Sequence, residues 1–241
     1  MSSRKARVVA ALTLDLDDTL WPIRPVIERC EQVLDEFLNE HAPTVVQRFP
    51  LAAMRQLRLR IADEQPHLAH DLPRLRRLSL EHAFSVSGVE AADLIERAYD
   101  CFYAARNQVQ LYDEVAQALP ELAARHPLLA LTNGNADLDS IGLAGHFQGS
   151  VSAWQVGCAK PDRRIFDHAC QQLALAPERI WHVGDDPDCD VLGALGAGMR
   201  AVWMNRDGRD WPYPDGPQPD LVVRDLAHLR DWLFKDAPAL A

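Results

Sequence analysis

Residues 8–20 read VVAALTLDLDDTL, an apolar run that breaks into acid at Asp15, Asp17 and Asp18 and then gives Thr19. A continuous run rich in Val and Leu, bounded by polar residues, is the pattern of a strand buried on both faces of a parallel sheet. Such sheets place their functional groups at the carboxyl ends of their strands, which is where these acids stand. If Asp15 and Asp17 are both still extended, the two-residue period aims them the same way and two carboxylates converge on one spot. Like charges that close are costly unless a cation neutralises them. Taken alone, the stretch reads equally well as a solvated loop or as an N-cap for the next helix.

The chain beyond it decides between these readings. After the Pro-punctuated break at residues 21–25, apolar Val26, Ile27, Cys30, Val33, Leu34, Phe37 and Leu38 form one helical stripe. Pro50 opens a second helix (Leu51, Met54, Leu57, Ile61), and Asp71 with Pro73 opens a third that Gly88 stops. A fourth carries Leu94, Ile95, Ala98, Cys101, Phe102 and Ala105. Residues 23–106 therefore read as an all-helical block with no convincing strand.

From residue 111 the texture changes. Residues 113–125 are helical, with a break or kink expected at Pro120, and 127–132 form a short apolar strand ending in Thr132-Asn133-Gly134-Asn135. A loop-rich stretch leads to Lys160-Pro161. Then come a helix through Ile165, Phe166, Ala169 and Leu173, a strand at 180–183, a loop at 184–187, a helix at 190–198 and a strand at 201–204. A Pro-rich loop at 205–219, a short strand at 221–223 and a last helix close the chain. This alternation implies βαβ units on a parallel sheet. The fold class is α/β: a Rossmann-like parallel-sheet core (1–20 and 108–241) with an all-helical domain (21–107) inserted after the first strand. Because the insertion follows the acidic stretch directly, the insert is expected over it as a cap.

With 241 residues the chain can bury a sizeable core, and 48% hydrophobic with 25% charged residues is ordinary for a globular protein. Its 25 Lys and Arg against 35 Asp and Glu give a formal charge of −10 and argue against nucleic acid as a partner. An anionic substrate would need local positive charge at its site. Arg4, Lys5 and Arg7 before the first apolar run resemble a secretory leader only superficially, because the run ends in acids without a small-residue cleavage site. No stretch approaches a membrane span. Five cysteines, odd in number and without close pairing, point to a reduced cytoplasm.

Four strand ends carry distinct polar sets: Asp15-x-Asp17-x-Thr19, Thr132-Asn133, Lys160, and Gly184-Asp185-Asp186-x-x-x-Asp190. In a parallel sheet these ends share one edge. The set amounts to a nucleophile, a second carboxyl, an oxygen-lined cation site and donors for an anion. Several carboxylates together select a hard cation such as Mg²⁺. Lys160, Thr132 and the backbone N–H groups of Asn133 and Gly134 can hold three phosphoryl oxygens.

In order and type, DLDDT at 15–19, TN at 132–133, Lys160 before Pro161 and GDDPDCD at 184–190 resemble the four motifs of the haloacid dehalogenase superfamily of aspartate-nucleophile phosphohydrolases. The helical insert resembles that family's C1 cap, so the likeness covers nearly the whole chain. The resemblance implies Asp15 as the nucleophile that forms an aspartyl-phosphate and Asp17 as the acid/base for the leaving oxygen and then for water. It implies Mg²⁺ held by Asp15, the backbone carbonyl of Asp17 and Asp185, with Asp186 a ligand through water and Asp190 orienting Lys160 and the metal shell. Lys160 would neutralise the acids and the phosphoryl group. The dehalogenases of the superfamily lack an acid two residues past the nucleophile, because a halide leaves without a proton; Asp17 therefore favours a phosphatase. DLDDTLWPIRPVI, LTNGNAD, HVGDDPDCDVLGALGAGM and QPHLAHD resemble the bacterial YigB-type branch, which implies flavin mononucleotide or 5-amino-6-(5-phospho-D-ribitylamino)uracil as substrate. Phosphoglycolate, a sugar phosphate or a nucleotide is the alternative small phosphorylated metabolite. A phospho-accepting signalling module is the alternative of a different class, which Asp17 and the large insert argue against.

Other residues admit two readings each. Trp21 either stacks a substrate ring or packs, and His70 and Arg74 either touch substrate or cap and solvate a helix. His67 and His70 lack the further ligands of a zinc site. His182 reads as a satisfied core histidine, and Arg55, Arg58, Arg60, Arg74, Arg76 and Arg77 read as solvated helix faces. Trp211 and Tyr213 either border the site or lie on the surface.

Overall fold

The computed structural model describes residues 9–235, so Arg4, Lys5, Arg7 and Val8 lie outside the described residues. They divide into two compact units, one of residues 9–22, 110–133 and 142–235 and one of residues 23–109 and 134–141.

The first unit is built on strands β1 (Ala11–Leu14), β2 (Leu128–Thr132), β3 (Ser150–Ser152), β4 (Ile180–Gly184), β5 (Arg200–Met204) and β6 (Leu221–Val223). They form one sheet in the order β3-β2-β1-β4-β5-β6, with every pair parallel. All residues of β1, β2 and β4 are buried, as their unbroken apolar character requires. Thr13 sits opposite Leu129 on one side and His182 on the other, which aligns the carboxyl ends of β1, β2 and β4. The strand order reverses between β1 and β4, so the crevice of this sheet opens where Asp15 and Asp185 leave it. β3 lies in the stretch read as loop; three residues, two of them serine, carry no strand signal, and pairing of Ser152 with Thr132 defines it.

The second unit contains helices α1 (Ile23–His41), α2 (Pro43–Arg48), α3 (Leu51–Glu64), α4 (Leu72–Val86) and α5 (Ala92–Arg106). Asp71 caps α4, accepting from the Arg74 N–H at 2.9 Å. Residues 134–141, expected in the core, group with these helices, and the Asp137 N–H donates to Asn107 Oδ1 at 2.9 Å. No described helix is long and apolar enough to cross a membrane.

Helices of the first unit include α6 (Val115–Ala123), α7 (Arg163–Leu173), α8 (Gly193–Ala197) and α9 (Leu226–Phe234), besides a single turn at Ala153–Val156. The helix α6 continues through Pro120, because its buried face of Val115, Ala118, Leu119 and Leu122 outweighs one missing hydrogen bond. Where the chain leaves the sheet and where it returns, the Tyr112 N–H donates to the Leu20 carbonyl at 3.0 Å. Arg206 secures the same place, reaching the Thr19 carbonyl at 2.6 Å and Glu114 at 2.8 Å while covering the Tyr112 ring.

The reading of the arginines as solvated faces fails at Arg76. It is buried in the helical unit, 2.8 Å from Glu31, with its guanidinium over the Phe102 ring, and Arg58 reaches the same Glu31 oxygen at 3.1 Å. Helical periodicity places such a residue on a face without showing what packs there. Breaking a buried pair leaves a charge uncompensated. Glu31→Gln is expected to destabilise the protein by about 3–5 kcal/mol in urea unfolding, whereas Glu31→Leu combined with Arg76→Met should recover most of that loss. A single Glu31→Gln loss below about 1 kcal/mol, the range of an exposed pair, would contradict the burial.

Candidate active site

The site grows from the end of β1. The Asp15 N–H is still paired with the Val183 carbonyl at 2.8 Å, so the strand geometry persists through Asp15 and its side chain is held at the sheet edge. Beyond it the chain turns sharply: Asp18 has φ 59°, in the left-handed region that short polar residues tolerate, and the Leu20 N–H returns to the Leu16 carbonyl at 2.8 Å.

Lys160 is the centre of the charge arrangement. Its Nζ lies 2.6 Å from Asp15 Oδ1 and 2.6 Å from Asp190 Oδ1, and all three side chains are buried. The Asn133 side chain grips the Lys160 backbone on both sides: Nδ2 donates to the Lys160 carbonyl at 3.0 Å, and Oδ1 accepts from its N–H at 2.7 Å, just before the cis Lys160–Pro161 bond. Thr132, the last residue of β2, is buried. Gly134, the next glycine, belongs to the helical unit.

Asp190 is fixed by three donors. Besides Lys160, its Oδ1 meets His182 Nε2 at 3.0 Å, and its Oδ2 accepts from the Asp186 N–H at 3.0 Å. His182 Nδ1 lies 2.8 Å from Thr13 Oγ1. Burial holds the imidazole below its ordinary pKa despite Asp190, so the ring is neutral, with Nε2 donating to the carboxylate and Nδ1 accepting from the threonine hydroxyl. His182 is the satisfied core histidine the sequence suggested, and it also supports Asp190. Gly184 makes room for this support, since a Cβ there would fall 2.2 Å from Asp190 Cγ.

One ammonium faces several crowded carboxylates here. Burial alone would lower the Lys160 pKa, but Asp15 and Asp190 hold it above the usual lysine range. Burial would raise that of Asp190, but Lys160 and His182 hold it below the usual carboxylate range. Asp15 is pushed well above that range, by burial and by the Asp190 charge, against the pull of Lys160. Asp185 is pushed up to about 7, by burial first and then by Asp190, Asp18 and Asp186. One oxygen each of Asp15, Asp185 and Asp190 fall within 4.8 Å of one another. An all-oxygen set with surplus negative charge fits a hard divalent cation.

Asp186 stands differently from its neighbours: exposed, it spends Oδ1 on the N–H groups of Asp188 and Cys189, at 2.8 and 2.7 Å, at the start of the π-turn Pro187–Leu192. Asp17 is half-buried and its Oδ1 accepts from Trp21 Nε1 at 2.8 Å. The Trp21 ring, read as a possible stacking face, is itself buried. His70 lies between residues 66–68 and α4 in the helical unit, half-buried.

Sequence reasoning missed Trp203 and Arg209. Both donate to the Asp185 carbonyl, at 3.0 and 3.1 Å, and so pin the loop that carries its carboxylate. Trp211 packs edge-on against Trp203, Tyr213 against Trp211, and the Tyr213 hydroxyl donates to Asp188, so this aromatic row braces the loop rather than lying idle on the surface. Contacts to a backbone carbonyl leave no mark in residue spacing; the only signal was an indole one residue from the end of a strand.

An acid whose folded pKa lies above its unfolded value binds more protons folded than unfolded between the two, so stability falls as pH rises through that window. With Asp185 at about 7 and an unfolded value of roughly 4, the cation-free protein is expected to lose stability from about pH 4 to 7. Asp15 adds to the loss with the same sign, whereas Asp190 acts below that window. A divalent cation competes with the Asp185 proton, so the rise in melting midpoint on adding one after EDTA treatment should be larger at pH 8 than at pH 5. Equal shifts at both pH values would count against Asp185 as a ligand.

The model of the haloacid dehalogenase-like hydrolase family matches residues 9–198. The 5-amino-6-(5-phospho-D-ribitylamino)uracil phosphatase YigB of Escherichia coli K12 is 33% identical over 226 residues, which cover 92% of this chain and 94% of that protein. The phosphoserine phosphatase of Thermus thermophilus is 34% identical over 247 residues, covering 90% and 96%. Among solved structures, a 2-haloacid dehalogenase from Pseudomonas syringae pv. Tomato DC3000 superposes with a TM-score of 0.88 at 35% identity, covering 95% of this chain and all of that one. The ordered motifs, the parallel sheet with its charged edge and the family match over most of the chain agree: this chain belongs to the haloacid dehalogenase-like hydrolases.

Proposed function

We propose that the protein is a Mg²⁺-dependent phosphomonoester hydrolase working through an aspartyl-phosphate on Asp15, with a small phosphorylated metabolite of flavin metabolism as substrate. The observation that carries the reaction is the pairing of Asp15, ion-paired to Lys160, with a second carboxyl at Asp17 in a separate environment. Two carboxylates held differently at one sheet edge suit two roles, nucleophile and acid/base.

In the first step an Asp15 oxygen attacks phosphorus, the ester P–O bond breaks, and Asp17 gives its proton to the leaving oxygen. In the second, Asp17 takes a proton from water, the oxygen of that water attacks the phosphorus of the acyl phosphate, and inorganic phosphate leaves as Asp15 is restored. Lys160, Thr132 and the N–H groups of Asn133 and Gly134 are assigned to the phosphoryl oxygens. Asp15, the Asp17 carbonyl and Asp185 are assigned to Mg²⁺, whose charge would offset the phosphoryl oxygens and the crowded carboxylates. Asp190 is assigned to the orientation of Lys160, in keeping with the three donors that already occupy it, and Asp186 to an outer contact through water. Selectivity is assigned to the helical unit, where His70 is the candidate contact.

A second reading, dehalogenation, is favoured by the likeness to the Pseudomonas syringae protein described as a 2-haloacid dehalogenase. Asp17 weighs against it, because a halide leaves without a proton. The flavin-metabolism reading is supported by the 33% identity to the ribitylaminouracil phosphatase, and a reduced cytoplasmic setting by five cysteines none of which is bonded to another.

With Mg²⁺ the protein is expected to hydrolyse a generic aryl phosphate; Asp15→Asn should abolish this and Asp17→Asn should lower it by about 10²–10⁴-fold. Undiminished turnover in Asp15→Asn would overturn the mechanism, and release of halide from a 2-haloacid by the wild type would favour the second reading. In a screen of phosphorylated metabolites, kcat/KM should be highest for flavin mononucleotide and ribitylaminouracil phosphate. A preference for phosphoglycolate, a sugar phosphate or a nucleoside monophosphate would move the substrate assignment to that class.

A further inference from the structure

Trp21 is fully buried, yet it stands four residues after Asp17 in the turn that ends β1. A buried indole needs a partner for its N–H, and this one donates to Asp17 Oδ1 at 2.8 Å. The backbone holds the two residues face to face: the Asp18 N–H donates to the Trp21 carbonyl at 2.7 Å, Asp17 and Trp21 form a β-bridge, and Asp18 takes the left-handed conformation that closes the turn. Burial of the ring and the closed turn together hold the indole N–H against the carboxyl, so the Asp17 side chain meets a rigid, buried donor.

From this geometry we infer that Trp21 is a positioning residue whose indole N–H fixes the Asp17 carboxyl in the orientation from which it exchanges a proton with the leaving oxygen; this rests on the reading of Asp17 as acid/base. The indole nitrogen donates and never accepts. The oxygen it meets is thus an acceptor whether Asp17 is protonated or not, and the exchanged proton sits on the other carboxyl oxygen. Without this contact the carboxyl loses a fixed donor, and the fraction poised to protonate the leaving group falls.

General acid assistance matters most for poor leaving groups, which separates positioning of the acid from a packing role. The parameter to follow is kcat/KM, which covers the steps up to phosphoryl transfer to Asp15, for a series running from 4-nitrophenyl phosphate through phenyl phosphate to a simple alkyl phosphate. With Mg²⁺, Trp21→Phe is expected to lose roughly tenfold or more on the alkyl ester, a fraction of what full removal of a general acid costs, and little on the nitrophenyl ester. Asp17→Asn should show the same tilt more strongly. A uniform loss across the series, or none, in Trp21→Phe alongside a tilted Asp17→Asn would overturn the role of Trp21 alone. A flat Asp17→Asn profile would overturn the acid/base reading, and this inference with it. Should Trp21→Phe fail to fold, the contact is read in Asp17→Ala instead: of the indole N–H resonances of the six tryptophans, the one assigned to Trp21 is expected to shift markedly upfield, and an unmoved resonance would overturn the inference.

Discussion

One ammonium group holds this site together. Lys160 reaches Asp15 and Asp190 at 2.6 Å each, among buried side chains, and so ties together groups delivered by three separate segments of the chain. A charge buried in this way is tolerable only with partners of good geometry, and removing one partner leaves the others uncompensated. Much of the surrounding detail follows from that demand. Asn133 clamps the Lys160 backbone at both its N–H and its carbonyl, His182 and the Asp186 N–H satisfy what Lys160 leaves open on Asp190, and Gly184 gives up a side chain so that Asp190 fits.

The sheet explains why these residues can meet at all. Parallel register places the ends of β1, β2 and β4 side by side, so groups more than a hundred residues apart arrive at one edge without any loop having to span the distance. The chain as a whole carries a formal charge of −10, and the site gathers several of its carboxylates around one lysine. A single lysine leaves carboxylates in surplus, and burial pushes the pKa values of Asp15 and Asp185 upward. A divalent cation held by the oxygens of Asp15, Asp185 and Asp190 would offset that surplus.

What could be read from the sequence follows from where information is carried. Strands buried on both faces write themselves as unbroken apolar runs, so β1, β2, β4 and β5 were visible, whereas β3 is three residues long with two serines and exists through its pairing with β2. Asp15, Asp17, Lys160 and Asp185 stood out because each sits at a strand end in an order that resembles a known family. His182 and Arg76 were seen as types and not as partners: an apolar strand hides that its histidine faces Asp190, and a helical face hides that its arginine faces Glu31. Trp203 and Arg209 were beyond reach because they hold Asp185 through its carbonyl, a contact open to many residue types.

Asp15 and Asp17 are chemically the same group two residues apart, and the fold makes them different. Asp15 is buried against an ammonium, which fixes one of its oxygens and pulls toward the carboxylate against the upward push of burial and of Asp190. Asp17 is half-buried beyond the last strand bond, in a turn that bends back at Asp18, and its Oδ1 accepts from the indole N–H of Trp21. The change of environment comes from the place where the strand ends: one residue is still in the sheet, and the other is in the turn that closes on Trp21.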